Sequence, residues 1–573
     1  MHQVRAFLSP DNPLGFGLSD YLELVAAVLL AALFLLRSGW RQALEKFAAR
    51  TGWCLLFLAA LPVFLRLALL SRYPAPIPSG SDDFGHLLLA DTLRHFRLAN
   101  PPHALPQFFQ QIFVLQEPTH SSIYPLGQGS VLALGWTLFG HPWAGVLLST
   151  GALCALVYWM LRAWTPPLWA LAGGLLAVFQ FGPLNYWMNC YWGGAVSACA
   201  GCLVCGALPR IFDTDGKRRR NAALLGAGLG LQLLTRPYEF FLLLAAVVLF
   251  LGIEWRQWRR QVAAIPLTVL IVAAAAGMTL LQNKQVTGQW TSIPYQAYRY
   301  RYGVPPAFTW QANAVPHGPL NCEQELDYET ETAVHGPGLD TPQAYWDRLV
   351  FRARFYRFFL LAPLYPALFG FVLLLRRARL IWALATIALF SLGANFFPYF
   401  FPHYVAAVGC LFLLISVAGL QRLNQFTISG SRPAVGTLLL FFCAAHFVFW
   451  YGVHALGSKQ VLFALTPYET WDYINQGDPQ GRLAVATQLA RQNGKQLVFV
   501  RYAPQHRFQE WINNRADIDS SAVVWAHDLG PEENEKLRRY YPDRKVWLLE
   551  PDATPPKLTP FPAEKTLLFQ DVP

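Results

Sequence analysis

Charged residues are scarce in this 573-residue chain: Asp, Glu, Lys and Arg make up 14% of it, whereas hydrophobic residues make up 54%. Soluble domains carry about a quarter charged residues, so this scarcity excludes an ordinary water-soluble protein. The mean hydropathy is +0.29, which is typical of a chain that is largely buried in lipid. The sequence therefore predicts a polytopic integral membrane protein whose spans are helical.

The chain also lacks the cysteine pattern of a disulfide framework, because most of its nine Cys lie in apolar stretches. Cys199, Cys202 and Cys205 have a spacing seen among iron–sulfur ligands. They lie, however, in a small-residue stretch, GGAVSACAGCLVCGAL, and we favour close helix packing there. The net charge of +11 comes from basic runs beside apolar stretches, as the positive-inside rule predicts. We therefore expect no nucleic-acid partner.

Apolar stretches alternate with polar segments over residues 1–456, which we interpret as one transmembrane domain. A span needs about 20 mostly apolar residues, and on this basis we predict roughly 11–13 spans. The predicted stretches are Tyr21–Leu36, Trp53–Leu70, Gly127–Phe139, Trp143–Arg162, Leu168–Leu184, Gly193–Ile211, Ala222–Leu234, Phe240–Ile253, Val262–Leu281, Phe355–Leu375, Leu380–Ala394, Val405–Leu420 and Val435–Leu456.

Three polar segments fall on one side of the membrane when the basic runs are placed in the cytoplasm. Two are loops at about 71–125 and 282–354, and residues 84–96 of the first loop predict an interfacial helix. The third is the tail, 457–573, where helical stretches alternate with apolar strands. This alternation predicts a small extracytoplasmic α/β domain. Three polar segments on one face indicate binding or chemistry at the outer surface.

An acidic pair, Asp82 and Asp83, follows one of the first predicted spans. Mutual repulsion and partial desolvation would raise the pKa of each carboxylate, which suits a general base acting on a hydroxyl. Alternatively, Ser81 or Asp82 caps a helix that begins at Phe84. The two interpretations are compatible, because a capped helix start holds a carboxylate rigidly.

Arg236 lies between two short apolar stretches. An arginine at mid-bilayer costs about 2.5–3.5 kcal/mol on insertion scales, and ionisable residues at that depth usually mark a functional site. Alternatively, Arg236 is an interfacial residue in a turn set by Pro237 and pairs with Glu239.

Basic and aromatic residues begin the second loop: Lys284, Tyr295, Arg299 and Arg301. Guanidinium groups match phosphate oxygens, and the tyrosine rings suit a sugar, so this segment could bind a sugar phosphate. Alternatively, it is an aromatic belt that contacts lipid headgroups.

His403 and Tyr404 follow a turn rich in Phe and Pro. A single interfacial histidine is often structural. Alternatively, His86 and His403 bind a divalent metal together with Asp82 or Asp83, although no spacing in the sequence enforces such a site. We therefore expect no certain cofactor and keep the metal site of Asp82, Asp83 and His86 as an alternative.

In their order, these elements resemble the GT-C glycosyltransferases, most closely the bacterial branch near protein mannosyltransferases and aminoarabinose transferases (the family 39 and RgtA/B/C/D-like group). The resemblance covers residues 53–420. It is carried by the acidic pair, by Tyr124–Gly129 (YPLGQG), by the Leu234–Pro237 turn, by the Pro294–Tyr295 loop and by Pro402–Tyr404. The sequence departs from the family in having Asp-Asp where Asp-Glu is usual, an additional N-terminal span and the α/β tail.

The resemblance implies a transfer reaction at the extracytoplasmic face of the cytoplasmic membrane, in cell-envelope glycosylation. The donor would be a sugar on a polyprenyl phosphate in the bilayer, and the acceptor a glycan, lipid or protein. Asp82 or Asp83 would take the acceptor hydroxyl proton, and the anomeric carbon would invert. The candidates for binding the donor phosphate or lipid are Arg236, Lys284, Arg299, Arg301, Tyr295, His403 and Tyr404.

A transporter or lipid flippase is the alternative from another functional class. Transporters place ionisable residues at broken helices in two related halves of the chain. The sequence shows one such break, at Arg236, and no evident repeat. Long outer loops rich in Trp and Tyr favour the enzyme, both over a transporter and over a non-catalytic assembly or sensor protein.

Overall fold

The structure is a computed structural model. It describes residues 18–35, 39–213, 217–258, 262, 265–305, 308–426, 434–465, 469, 478 and 480–561. The helices before residue 466 are α1 (Leu18–Leu35), α2 (Gly39–Ala49), α3 (Thr51–Ala68), α4 (Ser81–Arg94), α5 (Leu126–Phe139), α6 (Trp143–Leu161), α7 (Pro167–Phe181), α8 (Ala195–Asp213), α9 (Arg218–Thr235), α10 (Pro237–Ile253), α11 (Trp255–Trp258), α12 (Ile265–Thr287), α13 (Pro294–Tyr302), α14 (Cys322–His335), α15 (Pro342–Ala353), α16 (Tyr365–Val372), α17 (Ala378–Ala394), α18 (Gly409–Leu423), α19 (Val435–Leu456) and α20 (Lys459–Leu465).

The chain is a multi-pass helical membrane protein. Within the described ranges, six helical segments are long and apolar enough to span a bilayer, and two bent helix pairs raise this number to eight. Four shorter apolar helices, α5, α7, α10 and α17, have 14 to 17 residues. They are about 21–26 Å long at 1.5 Å per residue. The predicted 11–13 spans are reached only if these shorter helices cross as well.

One predicted span is not a single helix. The stretch Phe355–Leu375 begins in a 3-10 turn, Arg354–Phe359, and continues in α16 after a sharp break. The two parts, Pro342–Phe359 and Ala362–Val372, are bent by 101°. Pro363 lies at the break, and a proline cannot donate to the preceding helical turn. Hydropathy alone does not register this interruption.

Small residues let the spans approach closely. Cys199, Cys202 and Cys205 are buried free thiols, and a Cβ built at Gly201 between them would lie 1.7 Å from the carbonyl oxygen of Ala407. Only glycine fits at such a backbone contact. The helix-packing interpretation of this stretch is therefore confirmed.

The tail forms the predicted small α/β unit. Its strands are β3 (Gln496–Val500), β4 (Val523–His527), β5 (Lys545–Glu550) and β6 (Lys557–Pro560), after a short β1–β2 hairpin (Val114–Leu115 and Ser121–Ser122) in the first loop, and its helices are α21 (Arg482–Ala490) and α22 (Pro531–Tyr540). The sheet order is β4-β3-β5-β6. The first three strands are parallel and β6 is antiparallel to β5. Strand β6 (KLTP) was not predicted, because it is short, half polar and ends in proline.

The first loop completes the core of this sheet. Phe108 and Phe109, in a 3-10 turn, are fully buried with Leu497 and Phe499 of β3. In addition, Asp91 of α4 accepts a hydrogen bond from the backbone N–H of Ala516 (3.0 Å). The tail is therefore docked onto the loop that carries the acidic pair.

We expect Phe108→Ala to loosen this docking by about 3–5 kcal/mol, the usual cost of truncating a buried phenylalanine. Limited proteolysis of the tail should then be faster than in the wild type, with the membrane domain intact. Phe96→Ala is the matched control, because Phe96 is fully exposed. Equal protease resistance of all three proteins would contradict the shared core.

Candidate active site

Helix α4 begins at the acidic pair, as a continuation of the loop that leaves α3. Its N-cap residue is Gly80, and no side chain caps the first turn. Ser81 instead donates a hydrogen bond to Glu510 of the tail. The prediction that Ser81 or Asp82 caps a helix from Phe84 is therefore wrong. The pair still lies at the positive end of the helix dipole, which favours carboxylates.

The two carboxylates point to different partners. Asp83 is buried and accepts hydrogen bonds from the backbone N–H groups of Ser79 (3.1 Å) and Tyr191 (3.0 Å). Asp82 is half-buried and accepts a hydrogen bond from the phenol of Tyr124. Asp83 thus ties α4 to the loop after α7, whereas Asp82 keeps part of its surface accessible.

Both carboxyl groups have raised pKa values. Burial raises the pKa of Asp83 to about 6, although the backbone N–H of Tyr191 opposes the shift. Burial also raises the pKa of Asp82, while the hydrogen bond from Tyr124 and the positive charge of Arg236 lower it. The predicted elevation is therefore present, and desolvation is its main cause.

Tyr124 reaches Asp82 because Gly85 leaves room for its ring. A Cβ at Gly85 would lie 2.6 Å from Cε2 of Tyr124. His86 stacks on the same ring, with centroids 4.1 Å apart. Burial and the charge of Arg236 lower the pKa of His86 to about 3, so its imidazole is neutral. Its buried Nδ1 has no hydrogen-bond partner within the described residues.

We expect Gly85→Ala to displace the Tyr124 ring and to destabilise the protein by about 1–3 kcal/mol, the usual cost of overpacking. Thermal unfolding of the purified protein would measure the loss as a lower Tm. Gly80→Ala is the matched control, since a Cβ there meets no atom within 4 Å. Identical Tm values for the two variants would contradict the close contact.

Arg236 lies at the break between α9 and α10. It precedes Pro237, which disfavours helical geometry in the residue before it, and its φ is −146°. Its guanidinium donates to Glu239 Oε1 (3.1 Å) and lies 4.8 Å from the centre of the Tyr404 ring. The Arg236 side chain is 24% exposed. The predicted turn and its pairing with Glu239 are confirmed.

The YPLGQG segment holds the broken helix against the acidic pair. A Cβ at Gly127 would lie 2.1 Å from Oγ1 of Thr235, so the start of α5 contacts the end of α9 directly. Gln282 of α12 donates to the carbonyl of Tyr124 (2.8 Å). The residues around Tyr124 thus connect α4, the break and α12.

His403 and Tyr404 begin the last turn before α18. His403 is buried, lies 3.3 Å from the Tyr186 hydroxyl through Nδ1 and stacks on Phe401. These contacts favour a structural role for the ring. Tyr404 instead packs against Arg236 and fixes the orientation of its guanidinium.

Two predicted cations lie away from the acidic pair. The Lys284 ammonium is exposed and donates to the Gly288 carbonyl (2.7 Å). Arg301 forms an ion pair with Glu117 (2.8 Å). Among the described residues, neither Lys284 nor Arg301 has a hydrogen bond or ion pair with Asp82.

Tyr295, on α13, is near enough to the pair for the charge of Asp82 to affect it, and Arg299 of the same helix is near Tyr295. Burial raises the pKa of Tyr295, and the negative charges of Glu331 and Asp82 add to the shift, while Arg299 opposes it. Tyr295 remains 36% exposed. It is therefore accessible, and Arg299 is near enough to oppose the rise of its pKa.

Sequence reasoning missed an acidic row on α14. Glu323, Asp327 and Glu331 recur every four residues and therefore share one helix face, which is turned inward, whereas Glu325 and Glu329 are exposed. Burial raises the pKa of Asp327 to about 7 and that of Glu331 to about 8. The four-residue repeat was the available signal, but acidic residues in a polar loop are usually solvated.

These two shifts predict that the folded protein loses stability as pH rises. In the unfolded chain, Asp and Glu have pKa values of about 4. Between about pH 4 and pH 8, the folded state therefore binds more protons than the unfolded state. This contribution to the free energy of unfolding is fully present below about pH 4, decreases as pH rises above that, and is lost once pH exceeds the folded-state pKa values of about 7 and 8. Tm measured against pH should fall less steeply for Asp327→Asn, whereas Glu329→Gln should keep the wild-type slope.

The structure gives the metal alternative no ligand set. Asp82 and Asp83 point to different partners, and His86 stacks on Tyr124. Across the part of the chain that the structure describes, no group of three or more His, Cys, Asp or Glu side chains is placed to hold a metal ion.

No protein-family profile matches the sequence, and no curated protein matches it either. Among solved structures, the fold is similar to ArnT from Cupriavidus metallidurans bound to undecaprenyl phosphate, with 12% identity, a TM-score of 0.49 and coverage of 87% of this chain and 93% of that one. The apo state of ArnT gives 12% identity, a TM-score of 0.48 and coverage of 88% and 93%.

The apo oligosaccharyltransferase of Archaeoglobus fulgidus is similar at 11% identity and a TM-score of 0.43, over 87% of this chain and 69% of that one. At these identities and TM-scores the likeness concerns the fold alone.

Proposed function

We propose that the chain is a membrane glycosyltransferase that moves a sugar from a polyprenyl-phosphate donor to an acceptor hydroxyl. The observation that supports this proposal best is the half-buried Asp82 carboxylate in the field of Arg236, beside a broken apolar helix. A base and a cation that face one site suit a reaction in which a proton is removed and a phosphate leaves.

In the proposed reaction, the acceptor oxygen attacks the anomeric carbon of the donor sugar. A bond forms between that oxygen and the carbon, while the bond from the carbon to the phosphate oxygen breaks. The acceptor proton passes to Asp82, and the bonding electrons stay on the polyprenyl phosphate. A single displacement of this kind inverts the anomeric carbon.

Asp82 is the better candidate for the base than Asp83. Both oxygens of Asp83 already accept backbone hydrogen bonds, so its role is to hold the loop after α7. Asp82 has one phenol partner and remains accessible. Tyr124 then orients the carboxylate toward the acceptor.

Arg236 is the proposed phosphate ligand. Its guanidinium is held by Glu239 and Tyr404, so it is oriented before the substrate arrives, and such preorganised charge stabilises a leaving anion best. Arg299 and Tyr295 would contact the donor sugar or the phosphate oxygens that Arg236 does not bind. Lys284 and Arg301 lie outside this site and suit lipid headgroups instead.

The site is proposed to face the extracytoplasmic side of the cytoplasmic membrane. The basic runs after α8 and after α10 place those helix ends in the cytoplasm. The acidic pair, the second loop and the docked tail then share the opposite side, where a lipid-linked donor meets its acceptor.

Mass spectrometry of lipid-linked sugars tests the proposal. Cells that lack the protein should accumulate a polyprenyl-phosphate sugar and lose one outer-surface glycan modification, and expression of the wild type should reverse both changes. If the lipid-linked sugars and the outer-surface glycans were the same in cells that lack the protein and in cells that express it folded, the transferase would be contradicted and a transporter favoured.

A further inference from the structure

The acidic row of α14 faces a segment of the tail. Glu510, at the end of a loop that follows β3, is buried and accepts a hydrogen bond from Ser81. His506 of the same loop lies 3.3 Å from Glu323 and 2.7 Å from Asp552. The row therefore extends from the neighbourhood of Asp82 to the tail, with Ser81 at the junction.

Aromatic rings and one guanidinium line the tail side of this junction. Arg482, from the start of α21, lies 4.9 Å from the ring centre of Phe84 and 4.7 Å from that of Trp511. Trp511 is 2% exposed. Phe84 belongs to the first turn of α4, so the same turn carries both the proposed base and one wall of the junction.

Several buried polar atoms at this junction have no hydrogen-bond partner among the described residues. Two are carboxylate oxygens, Asp327 Oδ2 and Glu510 Oε2. Three are donors: the Tyr298 hydroxyl, the Trp511 indole N–H and an Arg482 N–H group. Buried polar atoms nearly always find a partner, and Tyr298 and Trp511 are almost fully buried. The junction therefore holds unpartnered acceptors and unpartnered donors together.

The mixture of donors and acceptors identifies the ligand chemistry. An ammonium group only donates and a phosphate mainly accepts, whereas a hydroxyl does both. Unpartnered carboxylate oxygens beside unpartnered N–H and O–H groups therefore match a neutral group with several hydroxyls.

We propose that the junction of α14, the start of α4 and the Tyr502–Trp511 loop of the tail binds a sugar ring of a glycan acceptor. This inference rests on the proposed function, since it assigns the acceptor side of the same site. The acceptor hydroxyl would lie toward Asp82, and Arg236 would hold the donor on the other side. The tail is then part of the acceptor site rather than a separate module.

The electrostatics agree with this placement. Burial raises the pKa of Asp327, and the negative charge of Asp82 raises it further. Burial likewise raises the pKa of Glu510 well above its usual range, with additional shifts from Glu323 and Asp327. Protonated carboxyl groups donate as well as accept, which suits sugar hydroxyls.

Saturation-transfer NMR on the full chain in lipid nanodiscs tests the proposal. The probes are neutral methyl glucoside, mannoside and galactoside, with glucosamine and glucuronate as charged counterparts. At least one neutral glycoside should bind, and Asp327→Asn and Glu510→Gln should weaken its binding about threefold to tenfold, the usual net contribution of one hydrogen bond between neutral groups. Tyr298→Phe, which keeps the ring, should weaken it about threefold to tenfold.

Two controls separate this proposal from the transferase itself. Glu329 lies on the exposed face of α14. The Glu329→Gln variant should therefore bind the glycosides as the wild type does. Polyprenyl phosphate binding should be unchanged in Asp327→Asn. The acceptor site would be overturned if the wild type bound glucosamine alone or no glycoside at all. It would also be overturned if Glu329→Gln lost as much glycoside binding as Asp327→Asn. Normal glycoside binding without any affinity for polyprenyl phosphate would overturn the proposed donor instead.

Discussion

Asp82→Asn is expected to lower the rate of sugar transfer by about 10²–10⁴-fold, the usual contribution of a general base. The amide keeps an oxygen that can accept the Tyr124 hydrogen bond, so the site should keep its shape while it loses the group that takes the proton. Purified protein in nanodiscs, supplied with the polyprenyl-phosphate sugar, gives the rate from released polyprenyl phosphate. The Tm should stay within a few degrees of the wild type.

Asp83→Asn is the matched comparison, because it makes the same chemical change one residue away. Asp83 accepts two backbone hydrogen bonds in a buried position, so we expect a stability loss of about 1–3 kcal/mol. Its residual activity should follow the folded fraction. Full activity of Asp82→Asn, or a folded but inactive Asp83→Asn, would reverse the assignment of the base.

The pH profile gives an independent check on Asp82. Burial raises its pKa, so the carboxylate form that accepts the proton is lost at a higher pH than for an ordinary aspartate. Activity should therefore fall on the acid side of neutrality, above the usual aspartate range. Tyr124→Phe removes a hydrogen bond that lowers this pKa, and should move the acid limb to still higher pH.

Local sequence patterns were sufficient for much of the fold. The predicted stretch Val435–Leu456 coincides with α19, and the helix predicted at 84–96 is found as Ser81–Arg94. The break at Arg236 followed from a charged residue before Pro237 inside an apolar run. Each of these features depends on neighbours in the sequence, which is why periodicity and proline positions predict them.

Long-range contacts were beyond those patterns. Phe108 and Phe109 belong to the core of a sheet that begins almost four hundred residues later, and nothing in their own segment indicates this. Likewise, Asp82 and Asp83 have equivalent positions in the sequence, and only Tyr124 and Tyr191, from two other segments, give them different roles. The acidic row of α14 was missed because its partners, such as His506 for Glu323 and Tyr399 for Glu331, come from distant segments.

Arg236→Ala is expected to lower kcat/KM for the donor by about 10²–10³-fold, the usual cost of removing one preorganised charge from a developing anion. The KM for the acceptor should change little, because Arg236 is proposed to face the phosphate alone. Arg236→Lys should recover only part of the rate, since an ammonium lacks the planar fork that binds two phosphate oxygens. Steady-state kinetics with each substrate varied in turn would measure both effects.

Stability must be separated from chemistry in this experiment. Glu239 is buried and pairs with Arg236, and removing one partner of a buried pair typically costs about 3–5 kcal/mol. The double variant Arg236→Ala/Glu239→Gln avoids the unpaired carboxylate and should fold better than Arg236→Ala while remaining as inactive. Glu239→Gln alone should keep most of the activity. Arg301→Ala is the control cation, because it pairs with Glu117 outside the site. If Arg301→Ala lost as much donor turnover as Arg236→Ala, the phosphate would bind on the second loop and not at the broken helix.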